Sequence, residues 1–140
     1  MSTSTKPVIT ELNVPQLQAL QSKLTNNVLI IKFSAEWCGP CKKIYPTYKA
    51  FMSKSPPNII FADIDVDENI DLWMALKKQK MVQGIPVFLA FFGGVKRQLW
   101  FIPDDSVIGA DEVAVTNFFK RCTDKAVELI DKSDGYTYYS

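Results

Sequence analysis

The sequence predicts an α/β domain in which a central mixed β-sheet is flanked by helices. Val28-Leu29-Ile30-Ile31-Lys32-Phe33 and Ile59-Ile60-Phe61-Ala62-Asp63-Ile64-Asp65 read as strands, and between them Cys41, Ile44, Tyr48, Phe51 and Met52 recur at helical spacing. A strand, a helix and a second strand in that order predict parallel pairing through a right-handed crossover. Further on, Gly93-Gly94 joins two extended runs and predicts a hairpin, which adds an antiparallel pair and makes the sheet mixed.

Taken in order, residues 1–7 read as a disordered lead, 8–130 as one domain and 131–140 as a tail that carries three tyrosines. Val8 to Leu12 alternates weakly and predicts a short first strand. Asn13 is a helix cap with Pro15 in the first turn, and Leu17, Leu20 and Leu24 give that helix its apolar face. The strand from Val28 to Ser34 is almost wholly apolar, as a strand covered on both faces should be. The helix behind it contains Pro46, which predicts a kink, and Ser55-Pro56-Pro57-Asn58 ends it. Asp67 to Gln79 reads as the next helix, too apolar at Leu72-Trp73-Met74-Ala75-Leu76 to bury every side chain, so Trp73 or Met74 is expected at the surface. Its Lys77-Lys78-Gln79-Lys80 end reads as a solvated terminus complementing the helix dipole. Pro86 to Phe92 and Val95 to Ile102 are the hairpin strands, followed by a Pro103-Asp104-Asp105-Ser106 turn. Asp111 caps a last helix with Val115, Phe118, Phe119, Cys122, Ala126 and Leu129 on one face.

Composition excludes several classes of function. Sixteen basic and fifteen acidic residues leave a net charge of +1, which offers no pull toward nucleic acid or membrane. No apolar run reaches the length of a membrane span, and the first residues lack the apolar core of a secretion signal. Three cysteines without such a signal argue against a structural disulfide framework, so a reducing, cytoplasmic setting is expected. The chain has no histidine. That removes Cys-His proteases, Ser-His hydrolases and most zinc sites.

The chemistry concentrates in Trp37-Cys38-Gly39-Pro40-Cys41-Lys42, where a strand hands over to a helix. Two cysteines with two residues between them can close as a disulfide or stay open as a dithiol. Near a helix N-terminus, unpaired N–H groups favour thiolate over thiol. The alternative, half a zinc site, needs two further ligands, and the chain offers one more cysteine and no histidine. Cys122 lies on the apolar face of the last helix and reads as a buried, inert thiol.

This hexapeptide after a hydrophobic strand, with Gly84-Ile85-Pro86 downstream, resembles the thioredoxin family from about Val8 to about Cys122. The resemblance implies a thioredoxin fold and protein-disulfide reduction without a bound cofactor or metal. Cys38 would be the nucleophile and the more exposed thiol, and Cys41, more buried, would resolve the mixed disulfide. Electrons would come from a thioredoxin reductase, the targets would be disulfide-containing proteins, and the chain would act as a monomer. Pro86 would be cis and face the disulfide, although X-Pro bonds are mostly trans. Trp37, Gly39, Pro40, Gly84, Ile85, Ile108, Gly109 and Ala110 would form a groove for an extended target. Set against this is a binding or assembly module in which redox turnover is incidental, kept open by the Pro103–Ser106 insertion, the tyrosine-rich tail and Lys32. A third reading, an oxidase or isomerase, is disfavoured by Gly-Pro between the cysteines, again through resemblance.

Lys32 departs from the family pattern, which places a buried aspartate there to take the proton of the resolving thiol. A lone buried ammonium costs several kcal/mol, so it should find a partner. Asp63 sits at comparable depth in the next strand and is the expected partner. A cation in this place should favour both thiolates. Neutral Lys32 or Asp63 would then take the role of base. The alternative is a Lys32 that reaches the sheet edge and is solvated.

Overall fold

A computed structural model describes residues 6–133. Its sheet has five strands in the order β1-β3-β2-β4-β5: β1 (Val8–Ile9), β2 (Val28–Ser34), β3 (Ile59–Asp65), β4 (Val87–Phe92) and β5 (Asp105–Ile108). β1, β3 and β2 run parallel, while β4 is antiparallel to both β2 and β5. The mixed sheet expected from the sequence is therefore present. Helices α1 (Val14–Lys23) and α3 (Ile70–Lys78) contribute to one core, and α2 (Gly39–Lys54) and α4 (Glu112–Ser133) to the other.

The period of two along β2 divides the cores. Leu29, Ile31 and Phe33 join Leu17, Leu72 and Leu76, while Val28 and Ile30 join Ile44, Tyr48 and Phe118. Lys32 falls in register with Val28 and Ile30, toward the aromatic core in which Tyr48, Phe61, Phe88, Phe118 and Phe119 touch ring to ring. All six residues predicted for the apolar face of α4 are buried.

Local chemistry sets most boundaries where the sequence suggests. Asn13 and Gln16 form a reciprocal capping box at α1, with Pro15 in the first turn. Asp111 Oδ1 accepts from Val113 N–H at the start of α4. α2 runs through Pro46 without a break and ends at Lys54, with Ser55 as its C-cap. Met74 is the exposed member of the α3 apolar run, and Trp73 is buried against Phe33. Residues 1–5 and 134–140, and with them most of the predicted lead and tail, lie outside the described residues; Lys6 is inside them and donates to Ser55 and Pro56.

Three expectations are corrected. β1 ends at Ile9, short of Leu12, because Leu12 N–H is taken by the Asn69 side chain and leaves the ladder. α3 starts at Ile70 because Asp65 Oδ1 accepts from Asp67 and Glu68 N–H, closing a turn ahead of the helix. The third concerns the hairpin: Val95–Ile102 is no strand, and β5, inside the stretch read as a turn, is the partner of β4. Gly93 N–H is bound to Asn27 C=O, and Asp104 takes over the next rung, accepting from Phe92 N–H and donating its own N–H to Ala90 C=O. Between them Arg97 folds back onto Asp104 and the Ile102 carbonyl, while Trp100 and Phe101, adjacent in sequence, both pack against the α1/α3 core. Strand alternation would have sent those two side chains to opposite faces.

Candidate active site

Cys38 is the N-cap of α2, with Gly39 and Pro40 in the first turn. It closes a turn with Ala35 through its backbone N–H, and its Sγ accepts the Cys41 N–H at 3.2 Å. Cys41 is one helical turn on, and the two residues are joined as a disulfide with Cα atoms 5.3 Å apart. The predicted difference in exposure is absent, since each residue is 4% exposed. What separates the sulfurs is the helix: Cys38 Sγ receives an orphan N–H at the positive end of α2, which contains no acidic residue in its first turn.

The bend at Gly84–Pro86 brings Ile85 against the same core cluster as Cys38 and Cys41, and the Ile85–Pro86 bond is cis. Pro86 C=O accepts Gly109 N–H at 2.8 Å, and Val87 pairs with Ile108, so β5 carries Ile108 and Gly109 to the same end of the sheet. Gly109 has φ +95, a conformation that favours glycine. Ile108 is exposed, whereas Ala110 is half-buried against the α2/α4 core. A Cβ at Gly39 or Gly84 would project into open space. Trp37 is 69% exposed and is held by its indole N–H, which donates to Asp67 Oδ2 at 2.8 Å. Sequence reasoning missed Asp67; its signal was an acidic residue in the turn ahead of α3, read only as a helix start.

Lys32 is 3% exposed and pairs with Asp63 at 3.3 Å, so the solvated alternative falls. The strand register sets Lys32 opposite Asp63. The ammonium also lies 5.0 Å from the Tyr45 ring centre and 4.9 Å from that of Tyr48, contacts that partly replace lost hydration. This aromatic flank was visible as two tyrosines three apart on α2, but only one faces the predicted apolar side. Burial, with the charge of Asp63 second and Tyr45 third, pushes the ionisation of Tyr48 far above its usual range, so its hydroxyl stays protonated. A cleft of about 370 Å³ is lined by Lys32, Asp63, Tyr45 and Cys41 among others, which connects the ion pair to the second thiol. Volume does not locate the site: a larger groove of about 790 Å³ between α2 and α4 contains neither cysteine.

Cys122 is fully buried, and desolvation first, then the charge of Asp105, pushes its thiol up to about 12. It stays protonated at neutral pH and belongs to the α2/α4 core, not to the cluster that holds Cys38 and Cys41. Among the described residues no group of side chains is arranged to hold a metal ion, and no helix is long and apolar enough to cross a membrane.

A disulfide at a helix N-terminus, sharing its core cluster with Ile85 of the cis Ile85–Pro86 bend, on a five-stranded mixed sheet, defines the class of thiol–disulfide oxidoreductases. The sequence matches the thioredoxin family profile over residues 11–102, and the chain belongs to that family. It is 34% identical to a thioredoxin of Geodia cydonium, over 69% of this chain and 80% of that one. It is 43% identical to thioredoxin domain-containing protein 8 of Mus musculus, over 43% of this chain and 46% of the mouse protein, so the match spans about half the length of that relative. The oxidised form of mitochondrial thioredoxin 3 from Saccharomyces cerevisiae superposes with a TM-score of 0.62 at 29% identity, covering 81% of this chain and 94% of the yeast protein. The chain is a thioredoxin-type protein-disulfide oxidoreductase, and its Cys38–Cys41 pair is the dithiol/disulfide couple.

Proposed function

We propose that Cys38 is the nucleophile and Cys41 the resolving thiol in the reduction of disulfide-bearing target proteins, with electrons supplied by a thioredoxin reductase. The observation that carries this is the Cys41 N–H aimed at Cys38 Sγ at the start of α2. In the reduced protein the Cys38 thiolate attacks a target disulfide, forming a Cys38–target bond and releasing one target sulfur as thiolate. Cys41 gives up its proton and attacks Cys38 Sγ, which closes the Cys38–Cys41 bond and releases the second target sulfur. Two electrons pass to the target, and two protons end on its thiols.

An extended target segment would lie along Trp37, Gly39, Pro40 and the Gly84–Pro86 bend, pairing with the backbone at Ile85, with Ile108 and Gly109 as the far wall and Ala110 behind them. The Lys32 ammonium, buried beside the same cleft as Cys41, favours the thiolate form of the pair. We place the protein in the cytoplasm as a monomer; the yeast relative is mitochondrial, so fractionation of tagged protein is the measurement that decides the compartment.

The activity is tested by reducing a disulfide-bonded protein with catalytic amounts of the chain and a dithiol donor. Wild type should turn over many times and Cys38→Ser should fall to the donor's background rate, while Cys41→Ser should accumulate the mixed disulfide. Equal rates from wild type and Cys38→Ser would refute the reading and leave the fold as a binding module.

A further inference from the structure

Beside the cleft that Cys41 lines, β2 carries a buried cation, Lys32, and the carboxylate paired with it stands across the ladder on β3. We propose that Asp63 is the proton acceptor for Cys41 and that Lys32 is the positioning residue that holds it, the proton crossing the cleft that both Asp63 and Cys41 line. This rests on the reading of Cys38 as nucleophile and Cys41 as resolving thiol.

The other groups around the cleft are eliminated one by one. Asp65 also lines it, but the two N–H groups on its Oδ1 fix it to the turn before α3, whereas Asp63 is tied to Lys32, a side chain that itself lines the cleft. Glu36 is exposed at the β2–α2 turn, where water screens it. Tyr48 is buried with no hydrogen-bond partner for its hydroxyl among the described residues, and it stays protonated. Lys42 and Tyr45, the remaining titratable groups of α2 on the cleft, offer no carboxylate. Asp63 shows one tie, from Oδ1 to Lys32, and its side chain is 28% exposed. It therefore has an oxygen to receive a proton and an outlet to return it to solvent. A space of about 370 Å³ leaves room for a bridging water between the carboxylate and the thiol.

The step balances within the proposed reaction. The Cys41 S–H bond breaks and its proton moves to the Asp63 carboxylate; the Cys41 sulfur lone pair forms the bond to Cys38 Sγ, and the Cys38–target bond electrons leave with the target sulfur. That sulfur is reprotonated from solvent or from the newly formed Asp63 acid. Lys32 enters the step only through its contact with the carboxylate, which fixes where the accepting oxygen sits.

The test separates the two halves of the reaction by rapid mixing of reduced protein with a disulfide-bonded protein. With Cys41→Ser in the background, Asp63→Asn should change formation of the mixed disulfide by far less than it changes release of the reduced target. With Cys41 intact, Asp63→Asn should slow release of the reduced target by about 10²-fold and remove one ionisation from its pH profile, and Asp63→Glu should restore both in part. Because Asp63→Asn leaves a buried ammonium without its counter-charge, the double variant Lys32→Met/Asp63→Asn, which removes both charges, is measured beside it and should show the same slow release in a folded protein. Release at the wild-type rate and with the wild-type pH profile in the double variant would overturn the proposal, as would slow release in Glu36→Gln or Asp65→Asn in place of Asp63→Asn. Turnover by Cys38→Ser would instead remove the nucleophile assignment on which the proposal stands.

Discussion

The Lys32–Asp63 pair should be energetically lopsided. The two side chains are 4% and 28% exposed, so the cation is sealed in and the anion is partly in contact with water. Removing the counter-charge by Asp63→Asn strands the ammonium, and breaking a buried pair this way costs about 3–5 kcal/mol. The lower end applies, near 3 kcal/mol, because the amide oxygen still accepts from Nζ and the Tyr45 and Tyr48 rings remain. Lys32→Met removes the charge that is expensive to bury and leaves an aspartate that water reaches. Its loss of ring contact, about 1 kcal/mol, is offset by relief of desolvation, so the net change should stay within about 1 kcal/mol. Urea unfolding monitored by far-ultraviolet circular dichroism reads this directly. At a slope of about 1.5 kcal/mol/M, Asp63→Asn should lower the midpoint by about 2 M and Lys32→Met by less than about 0.7 M. Equal losses, or a larger loss in Lys32→Met, would refute the reasoning by showing that burial does not set the asymmetry.

Two further outcomes follow from named contacts. The Cys122 thiol is raised in the folded protein from 9.0 to about 12, so between those values the folded chain holds a proton that the unfolded chain has lost, and stability falls as pH rises. The slope approaches about 1.4 kcal/mol per pH unit; between pH 9 and 10, before unfolded tyrosines contribute strongly, Cys122→Ala should flatten it in thermal melts, and an unchanged slope would place the alkaline loss elsewhere. Arg97→Ala removes the ion pair to Asp104, the bond to the Ile102 carbonyl and the Phe91 ring contact. It should cost about 1–2 kcal/mol and open 95–102 to limited proteolysis, and unchanged resistance would mean that Trp100 and Phe101 alone hold the loop.

The elements that were legible in the sequence are those in which one local signal dominates. β2 and β3 each open on four apolar residues before Lys32 and Asp63, α1 has Asn13 and Pro15 at its start, and α4 repeats its apolar face from Val115 to Leu129. The hairpin failed because its information is tertiary. Val95 to Ile102 looks extended, yet the rung beyond Phe92 belongs to the Asp104 side chain, a contact twelve residues away that no period in the sequence announces. The cysteines were legible as chemistry, and the Lys32–Asp63 pair as a necessity of burial. Asp67 was not, because a carboxylate ahead of a helix is more simply explained by the helix, and only the folded chain places the Trp37 indole within its reach.

Strand register ties the fold to this chemistry. Lys32 stands opposite Asp63 because Val28 pairs with Ile59, Ile30 with Phe61 and Ser34 with Asp65 along the whole parallel ladder. A slip of one residue would place Lys32 opposite Ala62 or Ile64 and bury an ammonium among apolar groups with no counter-charge. The same slip would set the C-terminal end of β2, and with it the start of α2, one residue out of step with the Asp67 turn that holds Trp37. An otherwise apolar β2 specifies its register weakly, since valine, leucine, isoleucine and phenylalanine tolerate several neighbours. The ion pair supplies that specificity, so a Lys32→Met/Asp63→Asn chain, even with stability close to wild type, should exchange the β2 and β3 amide hydrogens faster than the wild-type chain does at equal global stability. Equal protection in both would show that side-chain packing alone holds the ladder in place.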